Sequence, residues 1–293
     1  MRYTSVLLGI VGWICAGMAG CNAGTGGGAP ATPVNDTVAP SASPAITNTP
    51  SSRTASTTAA PTNLDAVPAV QTSVPKGDLP PLTLHLAGDS TVSNYAETDP
   101  KKQRGWGQEL SQFFIDKVTI DNKAVGGASV ATFKTGNWTK LIPAVKAGDY
   151  VMIQFGANDS GTVAGRHVEP AAFAAMYGTM ADEVKAKGGT TIFVTPSAFF
   201  QWKGTMEDNS RLAPYAAVIV KEGADKGVLV DDLNARGVEM LNSIGQEEAF
   251  KLYLPSGTTV DKAHFLKPGS TKMAQLVAEE LKRIHSPLAE YLK

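Results

Sequence analysis

The chain has 293 residues, 43% of them hydrophobic, with 26 basic and 27 acidic side chains and a formal net charge of −1. That length holds one sizeable domain or two small ones, and a near-neutral balance without a Lys/Arg stripe argues against a nucleic-acid partner. Both cysteines, Cys15 and Cys21, fall near the amino terminus, so the body of the chain can build neither a disulfide framework nor a cysteine metal site.

Arg2 precedes a mostly apolar run from Val6 to Met18, about the length of a signal-peptide core and short for a membrane span. The run ends at Met18-Ala19-Gly20-Cys21, which resembles a bacterial lipoprotein signal. Residues 1–20 would then be removed and Cys21 lipidated, giving a membrane-anchored lipoprotein of the bacterial cell envelope. An ordinary cleaved signal peptide and a secreted product, with Cys21 incidental, is the alternative. Residues 21–79 are Ala, Thr, Ser, Pro and Gly with almost no large apolar side chain. Such a tract cannot bury enough surface to offset its ordering entropy and is expected to be a disordered tether.

From Pro80 the texture changes. Leu82, Leu84, Leu86 and Ala87 form a run of strand length, broken by Gly88-Asp89 and followed by Ser90. Gly105-Trp106-Gly107 opens a helix carrying Leu110, Phe113 and Phe114. Val118–Ile120 is a second strand and Asp149–Phe155 a third, with Asn122 to Ser129 and Gly156 to Asp159 in the loops that follow them. A helix over Pro170–Lys187 takes proline in its first turn and stops at Gly188-Gly189. Thr190–Thr195 is the fourth strand, residues 211–226 a helix, Val228–Asp231 the fifth strand, and Leu233–Ile244 another helix. A loop carries Asp261 and His264, and Pro268–His285 closes the chain as a helix. Strands alternating with helices imply one parallel sheet covered on both faces, whose right-handed crossovers bring every strand's carboxyl end to one edge. Ser90, Gly127 and Asn158 each follow a strand, so that edge collects them.

A serine hydroxyl is a poor nucleophile at neutral pH and needs an adjacent base. His264 is the candidate, and Asp261, three residues earlier, can hold its ring from the same short loop. Attack on an ester carbonyl creates an oxyanion that needs donors aimed at it in advance. The N–H groups of Gly127 and Ser90 and the side-chain amide of Asn158 are the candidate donors. Asp159 is expected to brace the oxyanion loop, Asp89 to hold the serine turn, and His85 to be a satisfied core residue. Asp231-Asp232 is as compatible with helix capping as with a role at the active edge. His167 and His285 have no acidic or histidine partners at ligand spacing, so no metal and no cofactor are expected.

In order, Gly88-Asp89-Ser90, Asn122…Gly127, Gly156-x-Asn158-Asp159 and Asp261-x-x-His264 resemble the four blocks of the SGNH (GDSL) hydrolase family. The resemblance covers essentially all of residues 80–290, within one domain expected over 80–293. It implies a flavodoxin-like three-layer α/β/α fold with a five-stranded parallel sheet, and a serine esterase. Ser90 would be the nucleophile, His264 the base, Asp261 its orienter, and Ser90, Gly127 and Asn158 the oxyanion hole. The Gly-x-Ser-x-Gly elbow of α/β-hydrolases is absent around Ser90. Within the family, Gly88-Asp89-Ser90-Thr91, Gly105-Trp106-Gly107, the stretch from Asn122 to Ser129 and Phe155 to Asp159 look most like rhamnogalacturonan acetylesterases. Ala157 and Ala128 depart from that branch, where histidine and arginine are common. The expected partner is an acetylated polysaccharide or oligosaccharide, met by a monomer. Trp106 and Trp202, the latter within Phe199–Lys203, are candidate sugar-facing aromatics; core or loop packing is the alternative for each. A short-chain lipid or acyl esterase, a thioesterase, and a catalytically silent polysaccharide-binding protein are the competing functions.

Overall fold

In the computed structural model, which describes residues 75–293, the five expected strands pair into one parallel sheet. The signal segment, Cys21 and the tether up to residue 74 lie outside the described residues. The described region opens with a 3₁₀ turn over Lys76–Asp78, and Leu79 is already buried against the core.

The strands are β1 (Leu82–Gly88), β2 (Val118–Asn122), β3 (Tyr150–Gln154), β4 (Thr190–Val194), β5 (Trp202–Lys203), β6 (Met206–Glu207), β7 (Leu229–Asp231), β8 (Tyr253–Ser256) and β9 (Thr259–Phe265). The sheet runs in the order β2-β1-β3-β4-β7, while β5–β6 and β8–β9 are separate antiparallel hairpins. The helices are α1 (Trp106–Glu109), α2 (Val130–Thr135), α3 (Trp138–Leu141), α4 (Pro170–Ala186), α5 (Ala213–Lys226), α6 (Leu233–Phe250) and α7 (Lys267–Arg283).

Strand side chains point alternately to the two faces, and this sorts the core into two layers. Leu84, Leu86, Met152, Ile192 and Val194 join one cluster with α1, α6 and α7. Ala87, Val151, Ile153 and Phe193 join the other with α2, α4 and α5. The result is a three-layer α/β/α arrangement with the sheet in the middle.

Three local expectations need correction. The helix opened by Trp106 is one α-turn followed by a 3₁₀ turn over Leu110–Phe113, so Phe114 lies just beyond it. Residues 233–244 do form a helix, but a second helical piece continues to Phe250 beyond Gly245, whose φ of 77° breaks the ladder. Asp261 and His264 sit on strand β9 of a hairpin rather than in a loop. A register shift between Tyr253 and Pro255 of β8 makes that hairpin irregular.

Candidate active site

The order of the sheet reverses between β1 and β3, and open α/β sheets bind ligands in the crevice beyond the carboxyl ends at such a point. Ser90 leaves β1 there, and Gly156 to Asp159 leave β3. The chain turns immediately after β1, with the N–H groups of Val92 and Ser93 both donating to the Asp89 carbonyl. Asp89 Oδ1 accepts from the Thr91 N–H at 2.9 Å and the Thr91 hydroxyl at 2.8 Å. Its carboxyl is fully buried, and burial pushes it above the usual range against those two bonds.

Directly beneath this turn, the Thr91 carbonyl accepts from the Trp106 N–H at 2.8 Å. Gly105 and Gly107 allow that approach, since a Cβ on Gly105 would stand 2.3 Å from the Ser93 carbonyl oxygen and one on Gly107 2.5 Å from that of Val92. Trp106, expected as a sugar-facing aromatic, is instead wholly buried, its indole N–H donating to Gln154 Oε1 at 2.8 Å. The motif that carries it supports the serine turn from below and offers no face to a sugar. Trp202 is half-buried and packs edge-on against Phe200 at 6.0 Å, leaving only part of its ring at the surface.

The β8–β9 hairpin brings the late pair to Ser90. His264 Nε2 lies 2.9 Å from Ser90 Oγ, and His264 Nδ1 lies 2.9 Å from Asp261 Oδ2. With a carboxylate at Nδ1, the proton belongs there, and Nε2 is left to accept from the serine hydroxyl. Asp261 Oδ1 accepts the backbone N–H groups of Ala263 and His264 at 2.8 and 3.1 Å. The His264 bond above all, helped by these N–H groups and outweighing partial burial, holds the Asp261 carboxyl well below the usual carboxylate range. The hairpin is clipped to the body on both sides, by Arg104 N–H to the Phe265 carbonyl at 3.0 Å and Phe200 N–H to the Lys262 carbonyl at 2.7 Å.

The expected donors assemble beside the same hydroxyl. A Cβ on Gly126 would lie 3.9 Å from Ser90 Cβ, so the second block abuts the serine. Gly127 has a φ of 78°, the left-handed region where glycine carries no steric cost. Among the described residues the N–H groups of Ser90 and Gly127 enter no backbone hydrogen bond. Asn158 Nδ2 donates one proton to the Ala128 carbonyl at 3.0 Å, which ties the third block to the second and leaves its other N–H free. Asp159 fastens both blocks from below: Oδ1 accepts from Val130 N–H at 2.8 Å and Oδ2 from Gly156 N–H at 3.0 Å. Burial raises its carboxyl to about 7, with the nearby Asp89 adding to the rise.

Three of the residues set aside on sequence grounds, His85, His167 and Asp232, have partners of their own. His85 bonds Asp121 at 2.9 Å and Asp149 at 3.4 Å, fastening three adjacent strands. His167 bonds the Asp159 carbonyl and Glu169, and Asp232 caps α6 through Ala235 N–H. Sequence reasoning missed Gln154, which donates to Thr91 Oγ1 at 3.0 Å and accepts from Ser197 Oγ at 3.1 Å. A glutamine closing the apolar run of β3 was the available signal. It also missed Tyr95, whose hydroxyl donates to the Ser90 carbonyl at 2.9 Å. Arg166 and Arg211, on the flanks of the third block, were missed as well; no local pattern marks them.

A model of the GDSL-like lipase/acylhydrolase family matches residues 86–259. The chain is 30% identical over 216 residues to the probable rhamnogalacturonan acetylesterase YesY of Bacillus subtilis, covering 71% of this chain and 95% of that protein. It is 31% identical over 226 residues to the rhamnogalacturonan acetylesterase RhgT of the same organism, covering 72% and 94%. The crystal structure of Bacillus subtilis YxiM superposes with a TM-score of 0.63 at 30% identity, covering 71% of this chain and 58% of that one. The chain spans only about half (52%) of the full YxiM protein, an uncharacterized esterase. Axe2, an acetylxylan esterase from Geobacillus stearothermophilus, shares the fold with a TM-score of 0.52 at 17% identity, covering 71% and 95%. The matched span begins inside β1, takes in the serine turn and both oxyanion loops, and reaches the hairpin; together with two relatives spanned almost end to end, it shows that the chain belongs to the GDSL-like lipase/acylhydrolase family.

Proposed function

We propose that the protein is an exported carbohydrate acetylesterase that works through an acetyl-Ser90 intermediate. One observation carries the reading: an unbroken relay from Asp261 through His264 to the Ser90 hydroxyl, with 2.9 Å at each step, beside three N–H donors without an acceptor among the described residues. As Ser90 Oγ attacks the acetyl carbonyl, His264 Nε2 takes its proton, and Asp261 stabilises the imidazolium that forms. The N–H groups of Ser90 and Gly127 and the free amide proton of Asn158 receive the oxyanion. Collapse expels the sugar alkoxide, which leaves with the proton from His264. Water then attacks the acetyl-enzyme with His264 as base again, and acetate departs.

The names of YesY and RhgT, about 30% identical over most of the chain, support a rhamnogalacturonan or related pectic backbone as the substrate. Acetate release from acetylated rhamnogalacturonan, xylan and peptidoglycan fragments tests this, with the pectic substrate expected to lead. Ser90→Ala should abolish release while the protein keeps its far-UV circular dichroism; undiminished turnover would remove Ser90 from its role. The Met18-Ala19-Gly20-Cys21 sequence supports lipidation of Cys21 and a position at the cell envelope, and mass spectrometry of the mature amino terminus tests it. An unmodified Cys21 would leave a secreted enzyme.

A further inference from the structure

Five arginines lie among the described residues. Arg104, Arg236 and Arg283 are ion-paired with carboxylates. The two without an acidic partner, Arg166 and Arg211, both belong to the surroundings of the oxyanion loops. Arg211 is engaged: it donates to the Ala157 carbonyl at 2.9 Å and Ser160 Oγ at 3.0 Å, and lies over the Phe199 ring at 5.1 Å. Arg166 is different. Its exposed guanidinium reaches Gly127, where an added Cβ would meet Nη1, Nη2 and Cζ at 3.1, 3.1 and 3.2 Å. Three nearly equal distances mean that the guanidinium lies face-on against the glycine. Its N–H groups radiate in the plane of the group, and none of its side-chain nitrogens has an acceptor among the described residues.

The same guanidinium lines a groove of about 310 Å³ with Val125, Gly126, Gly127, Thr132 and Asn137. Arg166 is the one charged side chain in its lining. Gly126 abuts Ser90 and Gly127 follows it, so the cation stands on the order of 10 Å from the nucleophile. A planar cation held flat, with its donor edge free and no carboxylate to neutralise it, is suited to a bidentate contact with a carboxylate.

We propose that Arg166 binds a carboxylate of the substrate, so that the groove beside Gly127 is a subsite for a uronate residue near the acetylated sugar. This rests on the acetylesterase reading for its place in turnover, but the binding itself does not. The ring of the uronate packs on Val125 and the glycine backbone, and its carboxylate meets the free edge of Arg166.

The test compares wild type with Arg166→Gln in two measurements. In the first, kcat/KM is measured on acetylated oligogalacturonate, on acetylated xylo-oligosaccharide and on p-nitrophenyl acetate. Loss of one charge-assisted bidentate contact should lower the value for the uronate substrate roughly 10- to 100-fold, through KM, and leave both neutral substrates within about twofold. In the second, unacetylated trigalacturonate is titrated by calorimetry, with binding to wild type expected and a matching loss in the variant. Equal losses on all three substrates, or unchanged trigalacturonate binding in Arg166→Gln, would overturn the subsite. Trigalacturonate that fails to bind wild type would overturn it too. If wild type releases no acetate from any carbohydrate yet binds trigalacturonate through Arg166, the acetylesterase reading fails and the subsite stands.

Discussion

Asp159 offers a test in which stability and pH are linked with a definite sign. Its carboxyl is completely buried and accepts N–H groups from both oxyanion blocks, yet burial still raises it from 3.8 to about 7. Between those values the folded chain keeps the proton and the unfolded chain releases it. The folded state therefore binds more protons, and stability falls as pH rises through this window, reaching its full loss above about 7. The gap is worth about 4 kcal/mol at most, at 1.36 kcal/mol per pH unit. Asp159→Asn cannot titrate. Its amide keeps one acceptor but turns an N–H toward the other donor, which costs about 1–3 kcal/mol at a buried site. Urea unfolding of both proteins from pH 4 to 8 should show the variant clearly weaker at pH 4 and gaining on wild type by several kcal/mol by pH 8. Asp89, raised in the same direction, keeps some slope in both. A variant-to-wild-type difference constant across pH would refute the argument. The same substitution should lower kcat for a small acetyl ester by about 10²-fold, because it loosens both blocks at once.

The other expectations concern the donors and the floor of the site. Asn158→Ala should lower kcat on p-nitrophenyl acetate by about 10²–10³ with little change in melting temperature, as expected for one oxyanion donor; a near-normal rate would demote Asn158. Trp106→Phe removes the bond to Gln154 and should cost about 1–2 kcal/mol of stability by urea titration while leaving KM for an oligosaccharide unchanged. A raised KM would return Trp106 to sugar binding. Gly107→Ala places a Cβ 2.5 Å from the Val92 carbonyl and 2.8 Å from Leu86 Cδ1. It should destabilise by about 1–3 kcal/mol as overpacking does, and lower kcat because the serine turn moves; unchanged melting would show that the turn is not held from below.

Much of the fold was legible because each strand of the sheet is a short apolar run ended by Gly, Pro or Asp. Helices α4, α5 and α7 announce themselves by proline in the first turn, and α5 also by Gly227 at its stop. What escaped is short or irregular. Helices α2 and α3 have six and four residues, too few to establish a helical period. The strand holding Asp261 and His264 mixes polar and charged side chains, since it packs on loops and leaves several side chains part-exposed, so no alternation marks it.

The site shows the same division, and for a physical reason. The candidates Ser90, Gly127 and Asn158 lie in the loops that follow β1, β2 and β3, and Asp261 and His264 are three residues apart, so spacing alone brings them forward. The groups that hold them act across the fold: Gln154 reaches Thr91, Tyr95 reaches Ser90, and Asp159 reaches Val130. Trp106 shows the cost of reading such a residue alone. A tryptophan between two glycines looks like an aromatic platform, and only the fold shows its ring wholly buried with the indole N–H on Gln154. Arg166 is the converse case, an ordinary loop arginine in sequence that becomes conspicuous once its guanidinium is found flat against Gly127 without a counterion among the described residues. Chemistry confined to local blocks can be read from spacing; recognition built from one side chain on a distant loop can be read only from where that loop comes to rest.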